Sequence, residues 1–298
     1  MASIVDRLAG APISWGVCEV PGWGVTLPPA RVLGEMRKLG LRATELGPVG
    51  YLGAEGSEIR GLLESFGLQG VGGFVPLVLH DPSRRAATEE AAVAAARLLA
   101  GAGASRLVTA AVADEQWGQR PERDAKQWRH LCDGLALVEK IAADHGLVQV
   151  LHPHVGTLVE NDEDVRAVLE LSDVRWCLDT GHVTIGGIDP VAFATAHADR
   201  IGLVHLKDVR TEVAVRVRAG ELSLLEGSKK GLFCALGRGD VAVGDVVEQL
   251  ERAGYSGWYV LEQDVVVDPT STDGPGPTDD VRASMDYLDR LQAQIITR

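Results

Sequence analysis

Short apolar runs rich in β-branched residues alternate along the chain with longer segments whose apolar positions recur every three or four residues. The first pattern fits strands buried on both faces and the second fits amphipathic helices. The strand candidates are "APISWGV", "RATEL", "GVGGFV", "RLVTAAV", "VQVLH", "VRWCLD", "IGLVHLKD" and "GWYVLEQD". Helical segments separate them, from "PPARVLGEMRKLG" to "AVGDVVEQLERAG", and "DDVRASMDYLDRLQAQI" closes the chain. Several helices stop at a glycine just before the next strand, as at Gly40, Gly67, Gly146 and Gly254, where glycine admits the left-handed turn that ends a helix. Eight such units imply a parallel sheet covered by helices. At this length the expected form is a (β/α)8 TIM barrel, with residues 1–298 forming a single domain. A doubly wound open sheet is the alternative, but no glycine-rich dinucleotide fingerprint follows the first strand. The connection from Val209 to Asp240 is the longest irregular stretch and has room for a small hairpin or helix; long loops of this kind commonly cover a barrel's active site. "VDPTSTDGPGPTDD" reads as a loop before the last helix.

In a barrel the C-terminal ends of the strands converge on one face, and chemistry is placed there. The second strand ends in Glu45, the fifth in His152 with His154 close behind, and the sixth in Asp179 followed by His182. The seventh carries His205, Lys207 and Asp208, and the eighth Glu262, Gln263 and Asp264. Each residue alone has a plain structural use. Asp179 could cap a helix, His205 could be a satisfied core histidine, Glu262 could pair with Lys207, and His152 with His154 could form a turn. Four successive apolar runs ending in metal-ligating residue types make a ligand shell the stronger reading. Imidazole mixed with carboxylate suits Mn, Co or Zn better than Mg.

Bulk properties narrow the classes. Apolar content of 46% and charged content of 24% are ordinary for a soluble globular protein. The net charge of −13 argues against nucleic acid, whose phosphates are bound by Lys and Arg. Cys18, Cys132, Cys177 and Cys234 show no C-x-x-C spacing and read as reduced thiols. The start "MASIVDRLAGAPISWG" lacks a secretory pattern, and no apolar run approaches the ~20 residues that span a bilayer. The expectation is a cytoplasmic protein with a small-molecule substrate, no membrane or nucleic-acid partner, and room for a homo-oligomer. No P-loop, G-x-S-x-G or catalytic Cys–His signature competes.

The motifs "APISWG", "TELGPVGYLG", "LHPHVGTLVE", "CLDTGH", "GLVHLKDVR" and "GYSGWYVLEQD" span nearly the whole chain. Together they resemble the xylose isomerase-like barrel superfamily and, within it, the inosose dehydratases. "DTGH" and "HLKD" carry the superfamily resemblance, and "HPHVGT" with "EQD" points to the dehydratase branch. The resemblance implies a divalent metal, Mn2+ or Co2+ first and Mg2+ or Zn2+ as alternatives, on His152, Asp179, His205 and Glu262. Histidine stands at 152 where the wider superfamily has Glu, which raises the charge of the site by one and leaves His154 as a rival ligand. The implied activity is dehydration of a cyclic polyol ketone such as 2-keto-myo-inositol through an enediolate. A keto-sugar isomerase or epimerase on the same site is the alternative; a nuclease or a barrel without turnover is disfavoured. Glu45, His154, His182 and Lys207 are the expected acid–base groups. Trp15, His154, Lys207 and Arg210 are the expected substrate contacts, although Trp15 also fits core packing.

Overall fold

The structure is a computed structural model that describes residues 3–268 and 277–297. Its strands are β1 (Leu8–Gly10), β2 (Ala43–Thr44), β3 (Gln69–Gly70), β4 (Gly72–Leu77), β5 (Arg106–Ala111), β6 (Val148–Leu151), β7 (Trp176–Asp179), β8 (Ile201–Leu206), β9 (Asp208–Val209), β10 (Phe233–Cys234) and β11 (Tyr259–Leu261). The helices are α1 (Pro29–Leu39), α2 (Gly56–Ser65), α3 (Arg85–Gly101), α4 (Ala125–Asp144), α5 (Asp162–Leu171), α6 (Thr180–Ile185), α7 (Pro190–His197), α8 (Thr211–Arg218), α9 (Leu224–Lys229), α10 (Val243–Arg252) and α11 (Thr278–Thr297). Nine strands pair in parallel in the order β3-β2-β1-β11-β8-β7-β6-β5-β4. β3 and β4 flank Val71, whose N–H donates to Thr44 on one side while its carbonyl accepts from Arg106 on the other. They therefore occupy one position of the ring, and the sheet closes into the expected eight-position barrel.

The glycine stops are where the sequence puts them: Gly40, Gly67, Gly146 and Gly254 all have positive φ. Two expectations change. The first strand is Leu8–Gly10, not "APISWGV", because Pro12–Trp15 winds into a 3-10 turn ended by Gly16 at φ +76°. Proline has no N–H for a ladder hydrogen bond. The Val209–Asp240 connection holds both a helix pair, α8 and α9, and a short antiparallel pairing of β9 with β10. Most of the "VDPTSTDGPGPTDD" loop, residues 269–276, lies outside the described residues.

One apolar layer fills the barrel. Ala9, Ala43, Val71, Val108, Val150, Cys177, Leu203 and Val260 form a single buried cluster with Ala11, one residue from each strand position apart from the Ala9–Ala11 pair. Side chains two residues apart on a strand share a face. Two steps on from Ala43, Val150, Cys177, Leu203 and Val260 stand Glu45, His152, Asp179, His205 and Glu262. The packed layer is thus a floor, and strand periodicity alone sets five polar side chains directly above it.

Candidate active site

Each polar side chain over that floor is held by its own strand end. Asp179, the last residue of β7, uses Oδ1 to accept from the Gly181 and His182 N–H groups at 2.9 and 2.8 Å and so caps α6. Its Oδ2 is left facing the barrel axis, 3.5 Å from His152 Nε2, 3.7 Å from His205 Nδ1 and 3.2 Å from Lys207 Nζ. One oxygen of Asp179 therefore caps the helix and the other remains available to the site. Gly181 lets this happen: a Cβ there would lie 2.7 Å from the Lys207 stem.

His205 stands at the centre. Its Nδ1 is 2.6 Å from Glu262 Oε2, and its Nε2 is 3.2 Å from Glu45 Oε1. His152 is fixed from behind, with Nδ1 2.9 Å from the Pro153 carbonyl. That contact puts the proton on Nδ1 and turns an Nε2 lone pair toward Asp179. His154 is tied likewise, Nδ1 to the Val155 carbonyl at 2.7 Å. It stacks on His182, their ring centroids 3.8 Å apart, and His182 Nδ1 accepts from the Val155 N–H at 3.4 Å.

Lys207 is fully buried between three carboxylates, 2.8 Å from Asp264 Oδ1 and 3.2 Å from both Glu262 Oε1 and Asp179 Oδ2. Burial alone would lower its pKa, but Asp179, Asp264 and Glu262 outweigh burial and hold the ammonium well above its usual range. Burial opposes ionisation of Asp179 too, yet Lys207 and His182 keep it well below the carboxylate range. Asp264 goes the other way, raised by burial to about 6 against the pull of Lys207. Burial, with His152 and Lys207 adding to it, pushes His154 down to about 3, and His182 is lowered well below the usual imidazole value by burial and by His154. His205 is raised well above that value: burial works against the proton, but Cys177, Glu262 and Glu45 overcome it.

The donor set suits a divalent cation. Four carboxylates, from Glu45, Asp179, Glu262 and Asp264, face a single ammonium. Asp179 Oδ2, Glu262 Oε2 and His205 Nδ1 are buried and make no hydrogen bond, although the last two are only 2.6 Å apart. Buried polar atoms left in this state are costly; a cation among them answers the excess charge and the unused lone pairs together.

Of the sequence-derived site residues, Glu45, His152, His154, Asp179, His182, His205, Lys207 and Glu262 come together in this cluster, and Trp15 and Arg210 do not join it. Trp15 is fully buried in the core, and its indole N–H donates to Glu35 on α1 at 2.8 Å. Arg210 precedes α8 and donates to the Gly231 carbonyl at 2.5 Å, closing the α8–α9 excursion. Two features escaped the sequence reading. Asp264 was named at its strand end, two residues beyond Glu262 on the same face, but was given no role. Phe74 and Trp117 were not singled out: they stack at 5.9 Å and both contact the His154 ring, at 5.6 and 5.7 Å.

Comparison with known proteins identifies the family of this barrel. Residues 33–291 match the family model of xylose isomerase-like TIM barrels. An inosose dehydratase of Geobacillus kaustophilus is 31% identical over 96% of this chain and 94% of its own. The rhizopine catabolism protein MocC of Rhizobium meliloti is 32% identical over 86% of this chain and 81% of its own. Among solved structures, an L-ribulose 3-epimerase superposes with a TM-score of 0.71 at 16% identity, covering 98% of this chain and 96% of its own. IolI protein with a bound zinc atom superposes at 0.70 and 13%, covering 97% and 98%; at such identities these two show the fold. The chain belongs to the xylose isomerase-like TIM barrel family and, within it, to the inosose dehydratase family. Membership makes it an enzyme of the dehydratase type. Among the described residues no helix is long and apolar enough to cross a membrane.

Proposed function

We propose that the barrel mouth dehydrates a cyclic polyol ketone of the 2-keto-myo-inositol kind, as a cytoplasmic step of inositol breakdown. A divalent cation, Mn2+ or Co2+ before Zn2+ or Mg2+, would be held by His152, Asp179, His205 and Glu262. The observation carrying this reading is the convergence, above a filled barrel floor, of buried ligand atoms that make no hydrogen bond. The zinc atom in IolI and the name of the Geobacillus relative support it. A cation bound there supplies positive charge to an oxygen that becomes negative when the proton beside the carbonyl is removed.

The chain's own groups divide the proton work. Lys207 stays charged, so it donates: to the enediolate oxygen or to the departing hydroxyl. His154 and His182 stay neutral at pH 7; with the Val155 backbone holding Nδ1 of both rings, His154 offers an Nε2 lone pair and His182 an Nε2–H to the substrate's hydroxyls. Asp264, between Lys207 Nζ and His182 Nε2 at 2.8 and 3.8 Å, is the carboxylate within reach as proton acceptor. The stacked Phe74–Trp117 pair offers an apolar flank to the C–H face of a ring.

The test is metal analysis of purified protein together with turnover of 2-keto-myo-inositol, followed by the enedione's absorbance before chelation, after it, and after Mn2+ or Co2+ is restored. Product that disappears with chelation and returns with metal is expected. Lys207→Met should keep the metal and lose about 10²–10³ in turnover, the scale of one removed oxyanion donor. Bound metal without product would reject the substrate and favour epimerisation or isomerisation of a keto sugar. Absence of bound metal would overturn the site.

A further inference from the structure

Resting on that reading of the site as a cation centre, we infer that Glu45 is a positioning residue, fixing His205 so that Nδ1 faces the cation and Nε2 does not. The imidazole lies between two groups of carboxylates. On one side Nε2 and Glu45 Oε1 are 3.2 Å apart in hydrogen-bond geometry. On the other, Nδ1 is 2.6 Å from Glu262 Oε2 and 3.7 Å from Asp179 Oδ2, and it makes no hydrogen bond. A ligating imidazole is neutral and carries one N–H. Placing that proton on Nε2 satisfies Glu45 and leaves the Nδ1 lone pair facing Glu262 Oε2 and Asp179 Oδ2, two buried oxygens that make no hydrogen bond. A carboxylate behind a ligating histidine fixes its tautomer and ring orientation and strengthens it as a ligand.

Glu45 is built for a fixed role. It follows β2, which lies three positions from β8 round the ring. Its N–H donates to the Gly10 carbonyl at 2.9 Å, and its own carbonyl accepts from the Thr44 hydroxyl at 2.7 Å. Its side chain is buried, with the residue only 6% exposed. Two other roles compete. Glu45 could be a direct ligand, since ligand atoms of Glu45, His205 and Glu262 lie within 4.8 Å of one another. It could also be the general base.

Zn2+ affinity, measured by competition with a chromophoric chelator, separates the three when read beside turnover. Glu45→Gln keeps an acceptor oxygen and should bind Zn2+ within a few-fold of the native chain. Glu45→Leu removes the acceptor and should bind about 10–100-fold more weakly. Long-range 1H–15N spectra of histidine-labelled, Zn-loaded protein should show His205 protonated at Nε2 and metallated at Nδ1 in the native chain and in Glu45→Gln. In Glu45→Leu that assignment should be lost. If circular dichroism shows Glu45→Leu unfolded, Glu45→Asp stands in with the same expectation, because its carboxylate is one methylene shorter. Native affinity in the Leu or Asp variant would overturn the inference. Equal weakening in Glu45→Gln would make Glu45 a ligand, and abolished turnover in Glu45→Gln with native affinity would make it the base. A native chain that fails to bind Zn2+ would instead overturn the cation reading beneath the inference.

Discussion

Trp117 is the only non-glycine residue with a left-handed backbone among the described residues, at φ +57°. Such a conformation costs about 1–3 kcal/mol and persists where the surroundings over-determine it. Here the surroundings are the Asp114 side chain, whose Oδ1 accepts from the Gln116 and Gly118 N–H groups at 2.8 and 2.9 Å, and Phe74, on which the indole stacks. The turn spends strain to aim a flat apolar face at the rim of the site, beside His154. Trp117→Gly removes the indole and the strain together. The expected result is a KM raised about tenfold, the loss of about 1.4 kcal/mol of ring contact, with a Tm close to the native value. Trp117→Phe should restore most of the KM. Steady-state kinetics beside a melting curve reads both, and an unchanged KM in Trp117→Gly would remove this residue from the substrate's surroundings.

At the scale of elements, α2 meets α3 through two glycines. A Cβ on Gly56 would lie 2.6 Å from Gly101 Cα and 2.6 Å from the Leu98 carbonyl oxygen, backbone atoms that cannot swing aside. Gly56→Ala should therefore cost about 1–3 kcal/mol by forcing the helices apart. Gly61 lies on the same helix with nothing within 4 Å, so Gly61→Ala should be neutral or stabilising by up to about 1 kcal/mol. Urea denaturation of the pair gives the sign of each, and equal stabilities would show that the contact is slack. No sequence pattern announces this contact, because Gly56 and Gly101 are far apart in the chain and neither breaks a helical period. What was legible had a local signature. The helix-ending glycines show as breaks in periodicity, and Asp179 as a carboxylate ending an apolar run. The polar cluster shows as the residues two steps beyond Ala43, Val150, Cys177, Leu203 and Val260. "PISW" was misread because apolar composition does not separate a strand from a 3-10 turn, although Pro12 carried the warning. Trp15 was an ambiguous reading for a related reason: composition gives a large apolar ring but not the direction it faces. Trp117 was hidden because its partner Phe74 comes from another strand and its loop has no period.

Several buried and half-buried histidines across the molecule have shifted protonation equilibria, and this gives the metal-chelated protein a definite acid response. His80, His154, His182 and His197 have lowered pKa values, burial being the first cause in each. Below about pH 6.5 the unfolded chain protonates these four while the folded protein resists, so the unfolded state binds more protons and stability falls with pH. Asp264, raised to about 6, holds a proton between about pH 4 and 6 that the unfolded chain has released, and so offsets one of the four. His205 is raised, so its stabilisation is complete below about pH 6.5 and is lost as pH climbs through its folded value. Stability of the chelated protein should therefore peak near neutral pH, fall toward pH 5 as the four lowered histidines outweigh Asp264, and decline more gently on the alkaline side. Bound cation adds stability, and this increment should shrink in acid because its ligands must be deprotonated to hold it. Melting temperatures from pH 5 to 8, with and without Mn2+, test both statements. A chelated protein whose Tm rises toward pH 5 would mean that the carboxylates above the floor, not the buried imidazoles, govern the acid response.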